Sequence, residues 1–240
     1  MKKGLLVGLM AVLFMCGING QDSYGADASL GMTANSAYVW RGITFNDGFV
    51  LQPSLDVAKG GFGVNVWGNM DIDDYDDTLD NGQFSEIDLT LSYGFTLNMV
   101  EMSVGYIEYL YPNAELPAAR EVYLTCGISP VKGLSLGAAV YYEIDEIEDF
   151  YAALSASYGL SLADNLGVEA GVSVGYIGED YSAGGESGLN DITTYVSATY
   201  TVMENLDVTA AVYYVDTLDE DVLPEPDTNT FGGLTASYAF

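Results

Sequence analysis

Apolar and polar side chains change places at every step along most of this chain, in runs of about ten residues broken by clusters of Gly, Asp, Asn and Pro. In LQPSLDV, Leu51, Pro53, Leu55 and Val57 share one face, and Gln52, Ser54 and Asp56 share the other. EIDLTLSYGF sets Ile87, Leu89, Leu91, Tyr93 and Phe95 against Glu86, Asp88, Thr90 and Ser92. LGVEAGVSVGY and LDVTAAVYY repeat the scheme. A period of two belongs to a β-strand with one face in an apolar medium. No helical period competes, and beyond the N-terminal segment no apolar run is long enough for a membrane-spanning helix. The pattern predicts twelve strands, near 29–40, 49–58, 62–70, 85–95, 99–110, 120–128, 134–144, 150–160, 166–176, 190–200, 206–215 and 229–240.

The connections carry the next signal. SYGF (92–95), SYGL (157–160), TYTV (199–202) and SYAF (237–240) each close an even-numbered strand, and the first three lead into short turns. Segments 71–84, 112–119, 145–149, 177–189 and 216–228 are mostly longer and often acidic. A soluble β-sandwich would show the same alternation. An even strand count with short turns at one rim and long loops at the other is what a transmembrane barrel requires. Hydrocarbon cannot satisfy backbone polar groups, so such a sheet must close. The expected fold is therefore an all-β, antiparallel up-and-down transmembrane barrel. Tyr93, Tyr158, Tyr200, Tyr238 and Phe240 would girdle the periplasmic rim. Tyr38, Trp40, Phe49, Tyr106, Tyr142, Phe150, Tyr176 and Tyr214 would girdle the outer one. The centres of the outward faces carry no charged residue, as lipid contact demands.

At the N-terminus, Lys2 and Lys3 precede GLLVGLMAVLFM, an apolar run of 12 residues. That is too short to span a bilayer but fits the core of a secretory signal peptide. Residues 1–28 are expected to be the leader, cut between 20 and 28 and most readily at Ala28, with 29–240 forming one barrel in a bacterial outer membrane. A lipid-anchored reading would use Cys16, but Met15 is bulky where a small residue is wanted. Past the leader one cysteine remains, Cys126, expected to face lipid beside Leu124 and Ile128.

Two resemblances to known proteins follow. GGLTASYAF at the end of the chain places Leu234, Ala236, Tyr238 and Phe240 on one face. It resembles the C-terminal insertion signal of outer-membrane barrels, which implies recognition by the barrel-assembly machinery. SAYVWRGITFNDGFVLQPSLDV (36–57), GFGVNVWGNMD (61–71) and EIDLTLSYGF (86–95) are similar to the TorF-type porin family, with its Tyr-x-x-Arg-Gly-Ile strand end, Asp-Gly turn and Gly-rich second hairpin. That resemblance covers roughly the first third. It implies an outer-membrane barrel and a pore, in a family of poorly defined function, and brings no catalytic residue.

Charge narrows the chemistry. The sequence has 35 acidic residues against 6 basic ones, a net charge of −29. Nucleic acid is therefore a poor match as a partner, since it needs basic patches; outer-membrane lipid, lipopolysaccharide and small solutes are the expected ones. No histidine is present, which removes His-dependent nucleophilic catalysis. Lys59 and Lys132 fall in predicted periplasmic turns, away from any luminal serine, so the chain does not read as an enzyme. The inward faces supply Asp56, Glu86, Asp88, Glu101, Glu121, Glu143, Glu169 and Asp207 as pore-lining carboxylates. Arg41, ending the first strand, and Arg120, opening the sixth, join them as bases that either pair with those carboxylates or face them across a filter.

The loop DIDDYDDTLDNG offers Asp71, Asp73, Asp74, Asp76, Asp77 and Asp80. It fails EF-hand spacing, because Tyr75 and Asp76 stand where an Asp or Asn and a Gly are needed. Loosely bound Ca2+ or Mg2+, bridging to lipopolysaccharide, is all it suggests, and no cofactor is expected. Eight-stranded barrels are filled by side chains and sixteen-stranded ones are open; twelve lies between. The expected function is passive diffusion of small hydrophilic solutes, cationic or neutral. The alternative is a non-conducting structural or surface-binding barrel that acts through its acidic external loops.

Overall fold

The computed structural model describes residues 26–73, 81–113 and 116–240. The strands are β1 (Asp27–Asn35), β2 (Tyr38–Trp40), β3 (Ile43–Asn46), β4 (Val50–Lys59), β5 (Phe62–Asp71), β6 (Gln83–Leu97) and β7 (Val100–Leu110). They continue with β8 (Ala119–Val131), β9 (Leu134–Glu143), β10 (Phe150–Ala163), β11 (Leu166–Ile177), β12 (Gly188–Met203), β13 (Leu206–Thr217) and β14 (Thr230–Ala239). Twelve of them, β1 and β4 to β14, form one closed antiparallel barrel. β1 zips the cylinder shut, with Ser29 opposite Ala239 on one side and Asp27 opposite Ala58 on the other. No barrel edge is left unpaired, which is the condition for a sheet in hydrocarbon.

The alternation read from the sequence sorts the two faces. Leu91, Leu154 and Val196 point out and are 56%, 68% and 61% exposed, whereas Gln52, Glu86, Glu121 and Thr199 point in and are buried. Such an apolar exterior suits lipid and would be a liability in water. Tyr93, Tyr158, Tyr200, Tyr238 and Phe240 stand exposed on the outside near one rim. There, turns of two residues join β4 to β5, β6 to β7, β8 to β9, β10 to β11 and β12 to β13. All long connections lie at the other rim, which by the usual asymmetry of these barrels is the external one. Cys126 is half-buried on the outward face, as expected.

The first predicted strand requires correction. The alternation predicts a strand over 29–40, but β1 stops at Asn35, and residues 38–46 form a separate two-stranded sheet, β2 with β3. The aromatic alternation runs on through Tyr38 and Trp40, so it mimics a longer strand; the pairing partner changes while the period does not. Tyr38 and Trp40 therefore leave the outer girdle. The candidate leader lies outside the described residues up to position 25, and so do Asp74, Asp76, Asp77 and Asp80 of the acidic loop.

Candidate functional site

The β2–β3 hairpin turns through Arg41 and Gly42, whose φ angles are +49° and +82°. Two successive positive φ values make the tight hairpin turn that matches strand twist. Gly42 suits it, and a Cβ there would stand 2.5 Å from Leu223 Cδ2 and 2.9 Å from Asp191 Cβ. Arg41 does not suit it, because a side chain with positive φ is strained. The hairpin starts from the β1–β4 wall and projects inward. The Tyr38 hydroxyl donates to Glu86 Oε2 on β6 at 2.8 Å, and the Trp40 ring meets Tyr109 of β7 edge-on, 5.9 Å between centroids.

Arg41 reaches the opposite wall. Its Nη1 and Nη2 donate to Glu121 Oε1 and Oε2 on β8 at 2.6 and 2.9 Å. Tyr109 donates to Glu121 Oε2 at 2.7 Å, and Tyr181 donates to Oε1 at 2.8 Å while accepting from Arg41 Nη1 at 2.8 Å. The guanidinium carbon lies 4.1, 4.7 and 4.4 Å from the ring centroids of Trp40, Tyr141 and Tyr151, with Tyr181 at 5.6 Å. Fork-to-fork pairing and ring contacts both favour arginine over lysine here. Burial holds the Tyr181 phenol above its ordinary range, Arg41 opposing and Glu121 reinforcing, so it stays a hydrogen-bond donor at neutral pH.

The remaining side of the cage comes from β12. The β11–β12 register slips between Val174 and Tyr176, leaving Asn190 and Asp191 opposite Gly175. Both are about 1% exposed. Asn190 Nδ2 donates to the Arg41 carbonyl at 2.8 Å, and Tyr151 donates to Asp191 Oδ1 at 3.0 Å. Gly175 makes this fit, since a Cβ there would collide with Asp191 Oδ1 and stand 2.5 Å from the Tyr151 hydroxyl. Above the tip, Val222 and Leu223 of the β13–β14 loop are buried, Val222 packing with Tyr151, Ala153 and Ile177. Ser182 of the β11–β12 loop donates to the Val222 carbonyl at 2.6 Å. Hairpin and two loops thus meet in the external half of the lumen.

The other candidate residues divide by depth. Glu86, Asp88 and Glu121 surround the hairpin on the external side. Asp56, Glu101, Glu169 and Asp207 each lie within five residues of a two-residue turn, on the inward-facing parity of the periplasmic half. Asp56 accepts from Asn65 at 2.8 Å, and Glu169 accepts from Tyr195. Asp88 and Asp207 each keep a buried carboxylate oxygen with no hydrogen-bond partner among the described residues. Glu143 also points in, but its carboxylate accepts the backbone N–H groups of 145, 146, 147 and 148. It staples the β9–β10 loop. Of the acidic loop, Asp71 accepts from Asn69 at 2.8 Å at the external end of β5, and among the described residues no group of three acidic, His or Cys side chains is placed to hold a metal.

Arg120 is not a luminal base. Neighbouring residues of a strand face opposite sides, so with Glu121 inside, Arg120 points outward with Val122 and Leu124. It pairs with Glu108 of β7 at 3.3 Å and with Asp145 at 3.0 Å. The pattern of the sequence marks Tyr151 as luminal but not Tyr109, Tyr181, Asn190 or Asp191. Tyr109 carries the inward parity of its strand, which could have marked it; Tyr181 lies in a loop, and Asn190 and Asp191 sit at a bulge, where parity is silent.

A family model described as a bacterial protein of unknown function (Gcw_chp) matches residues 20–229. No curated relative matches the sequence. Solved structures share the fold. The KdgM porin is 13% identical, with 88% of this chain and 99% of that chain covered, at a TM-score of 0.58; it is also known in complex with disordered oligogalacturonate. The NanC porin is 12% identical, with 90% and 99% covered, at 0.53. An outer membrane channel from Pseudomonas putida F1 is 12% identical, with 93% and 98% covered, at 0.58.

Proposed function

The chain belongs to the Gcw_chp family of bacterial proteins of unknown function, and we propose that this member is a narrow outer-membrane channel whose lumen is constricted by its own β2–β3 hairpin. The observation that carries the reading is the Arg41–Glu121 bridge across the lumen. A barrel that needed no control over its interior could fill it with packed side chains. Here the filling is a short hairpin, covalently tied at one side and held at its tip by polar contacts. The fold shared with porins and channels, and the resemblance to TorF-type porins, support the same conclusion.

Small cations and neutral solutes are the proposed cargo. Among the described residues Arg41 is the one base facing the lumen, and Glu121 neutralises it. The remaining luminal carboxylates leave a negative wall, which concentrates cations and repels anions. Oligogalacturonate, seen with the KdgM porin, is a polyanion and would be opposed here. Insertion through Leu234, Ala236, Tyr238 and Phe240 by the assembly machinery, and loose bridging of the acidic loops to lipopolysaccharide by Ca2+ or Mg2+, complete the proposal.

The test is single-channel recording of the refolded barrel in a planar bilayer under a KCl gradient. Small discrete steps with a cation-selective reversal potential support the reading. Anion selectivity overturns the assignment of cargo, and silence from a folded barrel favours the surface-binding alternative.

A further inference from the structure

The cage around Arg41 is a complete recognition site for a guanidinium group, occupied by the protein's own side chain. Glu121, wholly buried, offers both carboxylate oxygens to the two Nη atoms. Tyr109 and Tyr181 hold that carboxylate with their hydroxyls. Tyr141 and Tyr151 supply ring faces from the barrel wall. All of these belong to the wall or to an external loop; the hairpin contributes only the occupant and Trp40. A wall built this way around a removable cation is a binding site in its own right.

We infer that Arg41 is a tethered stand-in for the solute, and that the channel recognises small guanidinium-bearing cations, which displace Arg41 from Glu121 and release the hairpin. The inference rests on the channel reading and adds the substrate class and the means of opening. Two features make displacement feasible. First, the turn that carries Arg41 into the cage holds it at a φ of +49°, a conformation costly for a residue with a side chain, so the hairpin that presents the internal competitor is itself under strain. Second, a short tether gives an effective concentration on the order of millimolar, which a free solute at similar concentration can match. An ammonium ion of the same charge lacks the planar fork that Glu121 accepts from both sides, so it should compete poorly. Charge attraction alone would not discriminate between the two.

Two measurements test this. The variant Arg41→Gly empties the cage and keeps the turn, because glycine accepts the positive φ. Titrating the folded variant in micelles with methylguanidinium, followed by tryptophan fluorescence with Trp40 beside the vacated position, should give saturable binding in the millimolar range. Methylammonium should bind at least tenfold more weakly, and adding Glu121→Gln should abolish the difference. In a bilayer, methylguanidinium should raise the open probability of the wild-type channel where methylammonium does not. A linear, unsaturable titration of a folded Arg41→Gly barrel overturns the recognition site. A conducting wild-type channel indifferent to methylguanidinium overturns displacement while leaving the channel reading intact. Saturable, guanidinium-selective binding with a bilayer that stays silent upholds the site and overturns the channel.

Discussion

Arg41 and Glu121, 80 residues apart in the chain, meet inside the barrel through two hydrogen bonds of 2.6 and 2.9 Å. The contact joins an element that belongs to no wall to the strand across the lumen from its root. Burying an ion pair is costly unless each partner's remaining hydrogen-bonding capacity is filled. Here Tyr109 and Tyr181 donate to Glu121, and Tyr181 also accepts from Arg41, whose faces the aromatic rings cover. A pair held in this way is expected to fix one position of the hairpin, and hence one width of the lumen.

Breaking either side of the pair should loosen the hairpin and widen the conducting path. Glu121→Ala leaves a buried guanidinium unpaired and is expected to cost about 3–5 kcal/mol of stability, read as a lower urea midpoint of the folded barrel. The double variant with Arg41→Ala should cost less than the two single changes added together, because residues in contact are coupled. Strict additivity would show that the two side chains do not depend on each other.

The periplasmic half should set ion preference. Asp56→Asn, Glu169→Gln and Asp207→Asn together remove three luminal charges while keeping side-chain volume. The reversal potential under a KCl gradient should move toward zero. Wild-type selectivity should itself fade between 0.1 and 1 M salt, as the screening length shrinks from about 10 to about 3 Å. A reversal potential unchanged by the triple variant would place the selecting charges elsewhere.

The barrel was legible in the sequence because its physics is periodic. Alternation assigns Leu89 and Leu91 to lipid and Glu86 and Glu121 to the lumen, and loop lengths distinguish the rims. What periodicity could not show is where a strand stops pairing with the wall. Asn35 to Trp40 keeps the same alternation on both sides of the break, and only the Arg41–Gly42 turn and the contacts of Tyr38 reveal the hairpin. Asn190 and Asp191 were hidden for a related reason, since a bulge places both neighbours against the interior. Arg120 and Glu121 could not both line the lumen, and strand parity alone would have separated them.

Gly175 should matter because of the bulge it faces. Its replacement by alanine drives a methyl group into Asp191 and Tyr151, the back of the Arg41 cage. A cost of about 1–3 kcal/mol is typical of such overpacking. At Gly159, on the neighbouring strand, an added Cβ would meet its nearest neighbour at ordinary van der Waals distance, 3.5 Å from Glu169. Its alanine variant is expected to melt like the wild type. Equal melting of the two variants would mean that the bulge can relax.

Adjacent positions on β8 should give opposite results. Glu121→Gln removes the charge that holds Arg41, so conductance and its response to cations should change. Arg120→Gln alters a side chain on the outer surface, 40% exposed and paired with Glu108 and Asp145 at the external rim. Exposed pairs of this kind contribute little and are screened by salt. Conductance, selectivity and heat stability of Arg120→Gln should therefore match the wild type, measured in the same bilayers and melts. If Arg120→Gln shifted the reversal potential as much as Glu121→Gln, the wall would be facing the wrong way at this strand, and the assignment of every luminal carboxylate would have to be reversed with it.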